Sequence, residues 1–219
     1  VTIELAVFDI AGTTVEEHQA VYVALADAVR AAGGAPSDAD IERWMGADKR
    51  EAIGSLLSTS DTELIEKTFV DFRERLHNLY TETPPVPMAG VPEAFDKLRA
   101  AGIKIALTTG FDRDVTDGLL KVLGWDENVL DAVITVDDVP AGRPAPYMIH
   151  TAMQRTGVRD VRKVLTAGDT TRDVEAGTNA GASYVIGVLT GGQTAETLGA
   201  AEHTHILAGV REIPTLLGL

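Results

Sequence analysis

Cysteine is absent from the 219 residues, which excludes disulfides, thiolate nucleophiles and cysteine-ligated zinc. Basic residues are scarce: 19 Lys and Arg face 33 Asp and Glu, a formal net charge of −14. That balance cannot build a broad cationic surface, so nucleic acid and anionic membranes are not expected partners. An anionic substrate would have to be held by local groups against the field of the whole chain. No run approaches the roughly 20 apolar residues that a membrane helix needs. The sequence opens at Val1 with no basic leader region, and a soluble, cytoplasmic protein is the expectation. No Walker loop, Gly-x-Gly-x-x-Gly fingerprint, His-Glu-x-x-His or Gly-x-Ser-x-Gly elbow occurs either. What remains is ordinary globular composition, 45% hydrophobic and 24% charged, over a length that suits one domain with a subdomain inserted.

The strongest positive signal is an alternation of short β-branched runs with helical stretches. Residues 3–8, 103–107, 132–136, 163–167, 184–189 and 205–207 read as buried strands. Helical patterns fill 91–101, 112–123, 144–156 and 170–180, and Gly102, Gly124, Gly157 and Gly181 stand where C-terminal caps belong. Strand–helix–strand repetition predicts an α/β fold, a Rossmann-like parallel sheet with helices on both faces. One stretch breaks the rhythm. Between residues 16 and 80 only helical patterns occur, at 20–32, 38–44, 49–57 and 63–80, and Thr83-Pro84-Pro85-Val86-Pro87 reads as a stiff connector. The expected organisation is a core of residues 1–15 and 86–219, with a helical cap of residues 16–85 inserted after the first strand.

Ligands bind at the carboxyl ends of the strands in such sheets. Asp9 follows the first strand, Thr108-Thr109-Gly110 the second and Gly168-Asp169 the fourth, with Asp173 one helical turn on and Gly142-Arg143-Pro144 between. For any one of these, a helix cap is the simpler reading; together they suit phosphoryl chemistry. Asp9 and Asp169 can share a hard cation such as Mg²⁺. Thr109 and the Gly110 amide can hold two phosphoryl oxygens and Arg143 a third. An ionised Asp9 can act as a nucleophile toward phosphorus. His203-Thr204-His205 lacks a third metal ligand and reads as an edge-strand surface.

The segments Asp9-Ile10-Ala11-Gly12-Thr13-Thr14, Thr109-Gly110, Gly142-Arg143-Pro144 and Gly168-Asp169-Thr170-Thr171-Arg172-Asp173 resemble the four motifs of the haloacid dehalogenase superfamily, in order and across nearly the whole chain. The Asp-x-Ala-Gly-Thr-Thr start and the Gly-Arg-Pro third motif are similar to those of the phosphonoacetaldehyde hydrolases, or phosphonatases. The resemblance implies a helical cap, Mg²⁺, an aspartyl phosphate on Asp9, a small phosphonate or phosphate substrate and a homodimer formed through the cap. It also implies that the Ala11 carbonyl joins Asp9 and Asp169 around the metal and that Asp173 supports that shell.

Ala11 replaces the second Asp that protonates alkoxide leaving groups in the superfamily's phosphatases, an acid worth about 10²–10⁴-fold in rate. Lys49 offers a different route. The segment Trp44-Met45-Gly46-Ala47-Asp48-Lys49 is similar to the one that carries the phosphonatases' Schiff-base lysine, and Met45 and Gly46 become substrate-side candidates with it. A protonated imine accepts the electrons of a breaking carbon–phosphorus bond, so no alkoxide acid is required. Lys49 must then be partly neutral near pH 7, far below its usual range. The sequence departs from the phosphonatase pattern at Ala52 (for a histidine), Phe111 (tyrosine), Ile10 (another aromatic) and Gln19 (cysteine), all expected near the substrate. A phosphatase of the same superfamily, acting on a small phosphate monoester, is the alternative, and a phospho-acceptor signalling domain a more distant one.

Overall fold

The computed structural model describes residues 2–219; Val1, first residue of the expected core, lies outside them. Six parallel strands form the main sheet: β1 (Leu5–Asp9), β4 (Lys104–Thr108), β5 (Ala132–Ile134), β6 (Val164–Gly168), β7 (Tyr184–Val188) and β8 (His205–Leu207), in the order β5-β4-β1-β6-β7-β8. They fall where the β-branched runs predict them. The first, second and fourth end one residue later than expected, and the third stops at Ile134, where Thr135 and Asp138 cap a 3₁₀ turn. Every β1 residue is buried, because the strand lies mid-sheet with packing on both sides. Leu5 and Val7 join Met148, Ile149 and Ala152 of α7 (Tyr147–Thr156) and Ala176 of α8 (Thr171–Ala180) on one face. Ala6 and Phe8 join Phe95 and Leu98 of α5 (Val91–Ala100) and Leu119 of α6 (Arg113–Leu123) on the other. Gly124, Gly157 and Gly181 close α6, α7 and α8 in the left-handed region, as their spacing predicts.

The chain moves from β1 outward through β4 to β5, then returns to the far side of β1 with β6, which opens a crevice at the carboxyl end of β1. Between β1 and α5 come four helices: α1 (Ala20–Ala31), α2 (Asp38–Arg43), α3 (Lys49–Leu56) and α4 (Thr62–Glu82). Ser37, Asp48 and Asp61 cap α2, α3 and α4 through side-chain bonds to backbone amides. Two two-residue strands, β2 (Val15–Glu16) and β3 (Val86–Pro87), pair antiparallel on either side of these helices, so the chain leaves and re-enters the sheet layer side by side. The β3 half of this ladder lies inside the stretch that reads in sequence as a stiff connector. Val21, Leu25 and Val29 of α1 and Phe69, Phe72 and Leu76 of α4 belong to the same apolar cluster as Phe8 and Phe95. No helix among the described residues is long and apolar enough to cross a membrane.

Candidate active site

Strand geometry brings the first carboxylate into place. Asp9 ends β1 level with Thr108 of β4, and Asp169 lies just past the end of β6 on the other side. Asp173 follows one turn into α8, where Thr170 and Asp173 cap the helix reciprocally. Carboxylate oxygens of Asp9, Asp169 and Asp173 lie within 4.8 Å of one another, all buried. Three buried like charges at that spacing need a counter-charge. Arg143 supplies part of it: Nη1 donates to Asp9 Oδ1 at 2.6 Å and pairs with Asp173, while its Nε is buried without a partner. Asp169 is left with a neutral donor, Thr13 Oγ1, at 2.9 Å. Burial, with Asp9 beside it, pushes the Asp169 carboxyl above the usual carboxylate range. An all-oxygen set short of positive charge fits a hard divalent cation such as Mg²⁺.

The second-strand residues lie beside this cluster. Thr109 is buried; its amide donates to Ile134 and its Oγ1 accepts the Phe111 amide at 3.1 Å. The Gly110 amide makes no hydrogen bond among the described residues and stays available to a phosphoryl oxygen.

The loop from Trp44 to Asp48 comes down onto this edge. At Gly46, with φ of +74°, a Cβ would fall 2.7 Å from Thr170 Oγ1, and at Gly110 one would fall 2.6 Å from the Ala47 carbonyl. Gly110 lets backbone pack on backbone, and Gly46 makes room for the Thr170 side chain. Arg172 stacks on the Trp44 ring at 5.0 Å and Arg73 of α4 pairs with Asp114 of α6 at 2.9 Å, so two further contacts join the same layers. Lys49, first residue of α3, is thereby sealed in at 4% exposure. Its Nζ donates to the Ala47 carbonyl at 2.8 Å and stands 5.7 Å over the Phe111 ring. Burial, then repulsion from Arg143, lowers its pKa to about 8, against the pull of Asp48, Asp9 and Glu17.

Beside the cluster opens a cavity of about 360 Å³. Ala11, Gly12 and Asp169 line it together with Met45, Gly192, Gln19 and Tyr22 and the carboxylates of Glu16, Glu17, Asp38 and Glu42. A larger apolar groove of about 530 Å³ between α4 and α6 contains none of these groups. Of the four departures from the resemblance, Gln19 lines the cavity and Phe111 lies beneath Lys49. Ile10 and Ala52 are fully enclosed in the apolar cluster, since one follows a mid-sheet strand and the other faces inward from α3. Three residues went unremarked in the sequence: Thr13, Tyr22 and Glu17. Only Thr13 carried a signal, as part of the Thr13-Thr14 pair behind the first Asp. Burial and the Asp169 charge push the Tyr22 hydroxyl well up. His203 bonds the Ala201 carbonyl and His205 stacks on Tyr184, which leaves them as edge-strand residues.

A family model described as "Haloacid dehalogenase-like hydrolase" matches residues 6–187, and the chain belongs to that family of hydrolases. A phosphonoacetaldehyde hydrolase of Bacillus cytotoxicus is 30% identical over 208 residues, 86% of this chain and 76% of that one. One from Bacillus cereus is 33% identical over 75% of this chain, a match that spans only 58% of the relative's length. The crystal structure of a phosphonoacetaldehyde hydrolase-like protein from Oleispira antarctica superposes with a TM-score of 0.88 at 21% identity, covering 100% of this chain and 92% of that one. Its identity is low enough that it speaks for the fold alone.

Proposed function

We propose that this hydrolase cleaves the carbon–phosphorus bond of phosphonoacetaldehyde, through an imine on Lys49 and an aspartyl phosphate on Asp9. The observation that carries the reading is the pairing of Ala11 with Lys49. The residue that would protonate an alkoxide is missing, while a lysine with its pKa lowered to about 8 is sealed beside Asp9 and Arg143. Roughly a tenth of such an amine is neutral at pH 7.

The neutral Nζ adds to the aldehyde carbon and water departs, leaving a protonated imine. Asp9 attacks phosphorus, and the carbon–phosphorus electron pair moves into the imine to give an enamine. Protonation of the enamine carbon and addition of water release acetaldehyde and free Lys49. A second water hydrolyses the aspartyl phosphate, and phosphate leaves. Thr109, the Gly110 amide and Arg143 hold the phosphoryl oxygens, and Met45 and Gly46 border the organic part. Asp9, Asp169 and the Ala11 carbonyl would hold Mg²⁺, whose charge offsets that of the phosphoryl group and the carboxylates. Asp173 positions Arg143 and Thr170. Phe111 places a ring under the amine and lacks a hydroxyl that would compete for it. A cytoplasmic location and a homodimer through the cap belong to the same proposal.

The test is release of phosphate and acetaldehyde from phosphonoacetaldehyde with Mg²⁺, wild type against Lys49→Arg. Arginine keeps the charge and cannot condense with the aldehyde. Loss of turnover in the variant, with acetaldehyde trapped on Lys49 of the wild type by borohydride, is the expected result. Equal turnover in both would rule out the imine.

A further inference from the structure

The cavity beside the carboxylate cluster has a volume of about 360 Å³, far more than the two carbons and one oxygen of an acetaldehyde unit fill. Beyond Asp169 it is lined by Glu16, Glu17, Asp38 and Glu42, and by no arginine, lysine or histidine. A phosphonate dianion bound next to four carboxylates is repelled unless its far end carries positive charge. Glu16, Asp38 and Glu42 reach solvent, which screens them. Glu17 does not: it is 4% exposed. Its Oε2 accepts the Val21 amide at 2.8 Å, which fixes the group. Neither Glu17 Oε1 nor the Tyr22 hydroxyl makes a hydrogen bond among the described residues, and neither is fully enclosed, so both open onto the cavity. The backbone turns Glu17 inward. His18 and Gln19 adopt left-handed φ values, 57° and 60°, unusual for residues with a side chain, and both stay exposed. Capping α1 accounts for one carboxylate oxygen, yet Ser37, Asp48 and Asp61 cap their helices without being buried. Burial pushes the Glu17 carboxyl above its usual range and the Lys49 charge pulls it down, so the two groups lie within electrostatic reach of each other. A cation in the cavity would restore the carboxylate.

We propose that this cavity binds an ammonium group on the organic end of a substrate, with the Glu17 carboxylate as its partner, and that the chain cleaves β-oxo phosphonates bearing such a group. The cleavage rests on the imine at Lys49; the cation site does not. The simplest such compound is 3-amino-2-oxopropylphosphonate. Lys49 Nζ adds to its carbonyl carbon and water departs. Asp9 attacks phosphorus, the carbon–phosphorus bond breaks, and its electron pair enters the imine to give an enamine. The enamine carbon takes a proton, water adds to the imine carbon, and aminoacetone leaves with its ammonium intact. A second water hydrolyses the aspartyl phosphate, so one water is consumed overall.

The experiment first compares two ligands of equal size that carry no carbonyl, 3-aminopropylphosphonate and butylphosphonate. Calorimetry with saturating Mg²⁺ reads their affinities for wild type and Glu17→Gln. Glutamine still offers an oxygen to the Val21 amide, so the start of α1 is kept. Wild type should bind the amine about 10–100-fold more tightly, and the variant should lose that preference. Equal affinities in the wild type overturn the proposal. So does a preference that survives in the variant, since Glu17 would then only hold α1 in place. Phosphate release from 3-amino-2-oxopropylphosphonate should exceed that from 2-oxobutylphosphonate by a similar factor in the wild type. If phosphonoacetaldehyde is cleaved and the amino ketone is not, the proposed activity fails and the imine stands. If the amine is preferred in binding and no carbonyl compound is cleaved, the imine fails and the cation site stands.

Discussion

Gly110 is where the strand edge meets the loop that carries Lys49, and Gly110→Ala tests whether that contact creates the reactive amine. The added Cβ would lie 2.6 Å from the Ala47 carbonyl oxygen and 3.1 Å from that of Gly46. Both obstacles are backbone, so the loop must lift instead of a side chain swinging aside. The Ala47 oxygen is also the acceptor for Lys49 Nζ. Lifting it admits water, and the amine returns from about 8 toward its ordinary 10.5. Complete return would cut the neutral fraction at pH 7 by about 300-fold. The assay is borohydride trapping of acetaldehyde on Lys49 as a function of pH, read by mass spectrometry. The wild-type midpoint is expected near 8 and that of the variant higher. Activity lost at neutral pH should come back as pH rises. A midpoint that stays near 8 in a variant whose Trp44 fluorescence reports a displaced loop would refute burial as the cause.

Lys49→Met should stabilise the fold by about 3 kcal/mol at pH 7, the cost of holding a charged amine at a site that favours the neutral form. The native state binds fewer protons than the unfolded chain between about pH 8 and 10.5, so wild-type stability rises through that window. Urea titrations should show the methionine variant's advantage constant below pH 8 and gone by 10.5; an advantage that persists at high pH contradicts the assignment. Thr13→Val removes the hydroxyl that orients Asp169 and should weaken Mg²⁺ binding by about 10–100-fold in calorimetric titration. Unchanged affinity would detach Thr13 from the metal site. Phe72→Ala in α4, where the ring is 1% exposed, should cost about 3–5 kcal/mol in the same urea titrations. A loss below about 1 kcal/mol would mean that α4 is not anchored through this residue.

The sheet was legible because its strands are short, β-branched and closed by Asp, Thr or Gly, and because the strand ends of such a fold are where its chemistry gathers. Asp9, Asp169 and Asp173 could be grouped from position along the chain alone, and they do meet. The β2–β3 ladder could not, since two residues carry no periodicity and Pro87 argues locally against pairing. Lys49 could be singled out but not its seat: the approach of Ala47 to Gly110 and of Lys49 to Phe111 joins residues more than 60 positions apart, and no local rule relates them. Glu17 stayed hidden for another reason. In Val15-Glu16-Glu17-His18 it reads as one more solvated charge, and only the two left-handed residues after it turn it away from water.

The apolar cluster that joins α1 and α4 to the sheet has a consequence for how this chain can be cut and recombined. Val21, Leu25, Phe72 and Leu76 share it with Phe8 and Phe95 across the β2–β3 ladder. A fragment severed at those two strands would take a bare greasy face with it and leave another behind. Transplanting the helices onto a foreign sheet would therefore demand a matched surface as well as matched ends. In recombination experiments the inherited block should be the helices together with α5 and the strand beneath them, and libraries that cross over there should yield more soluble chimaeras than libraries that cross over at the connectors.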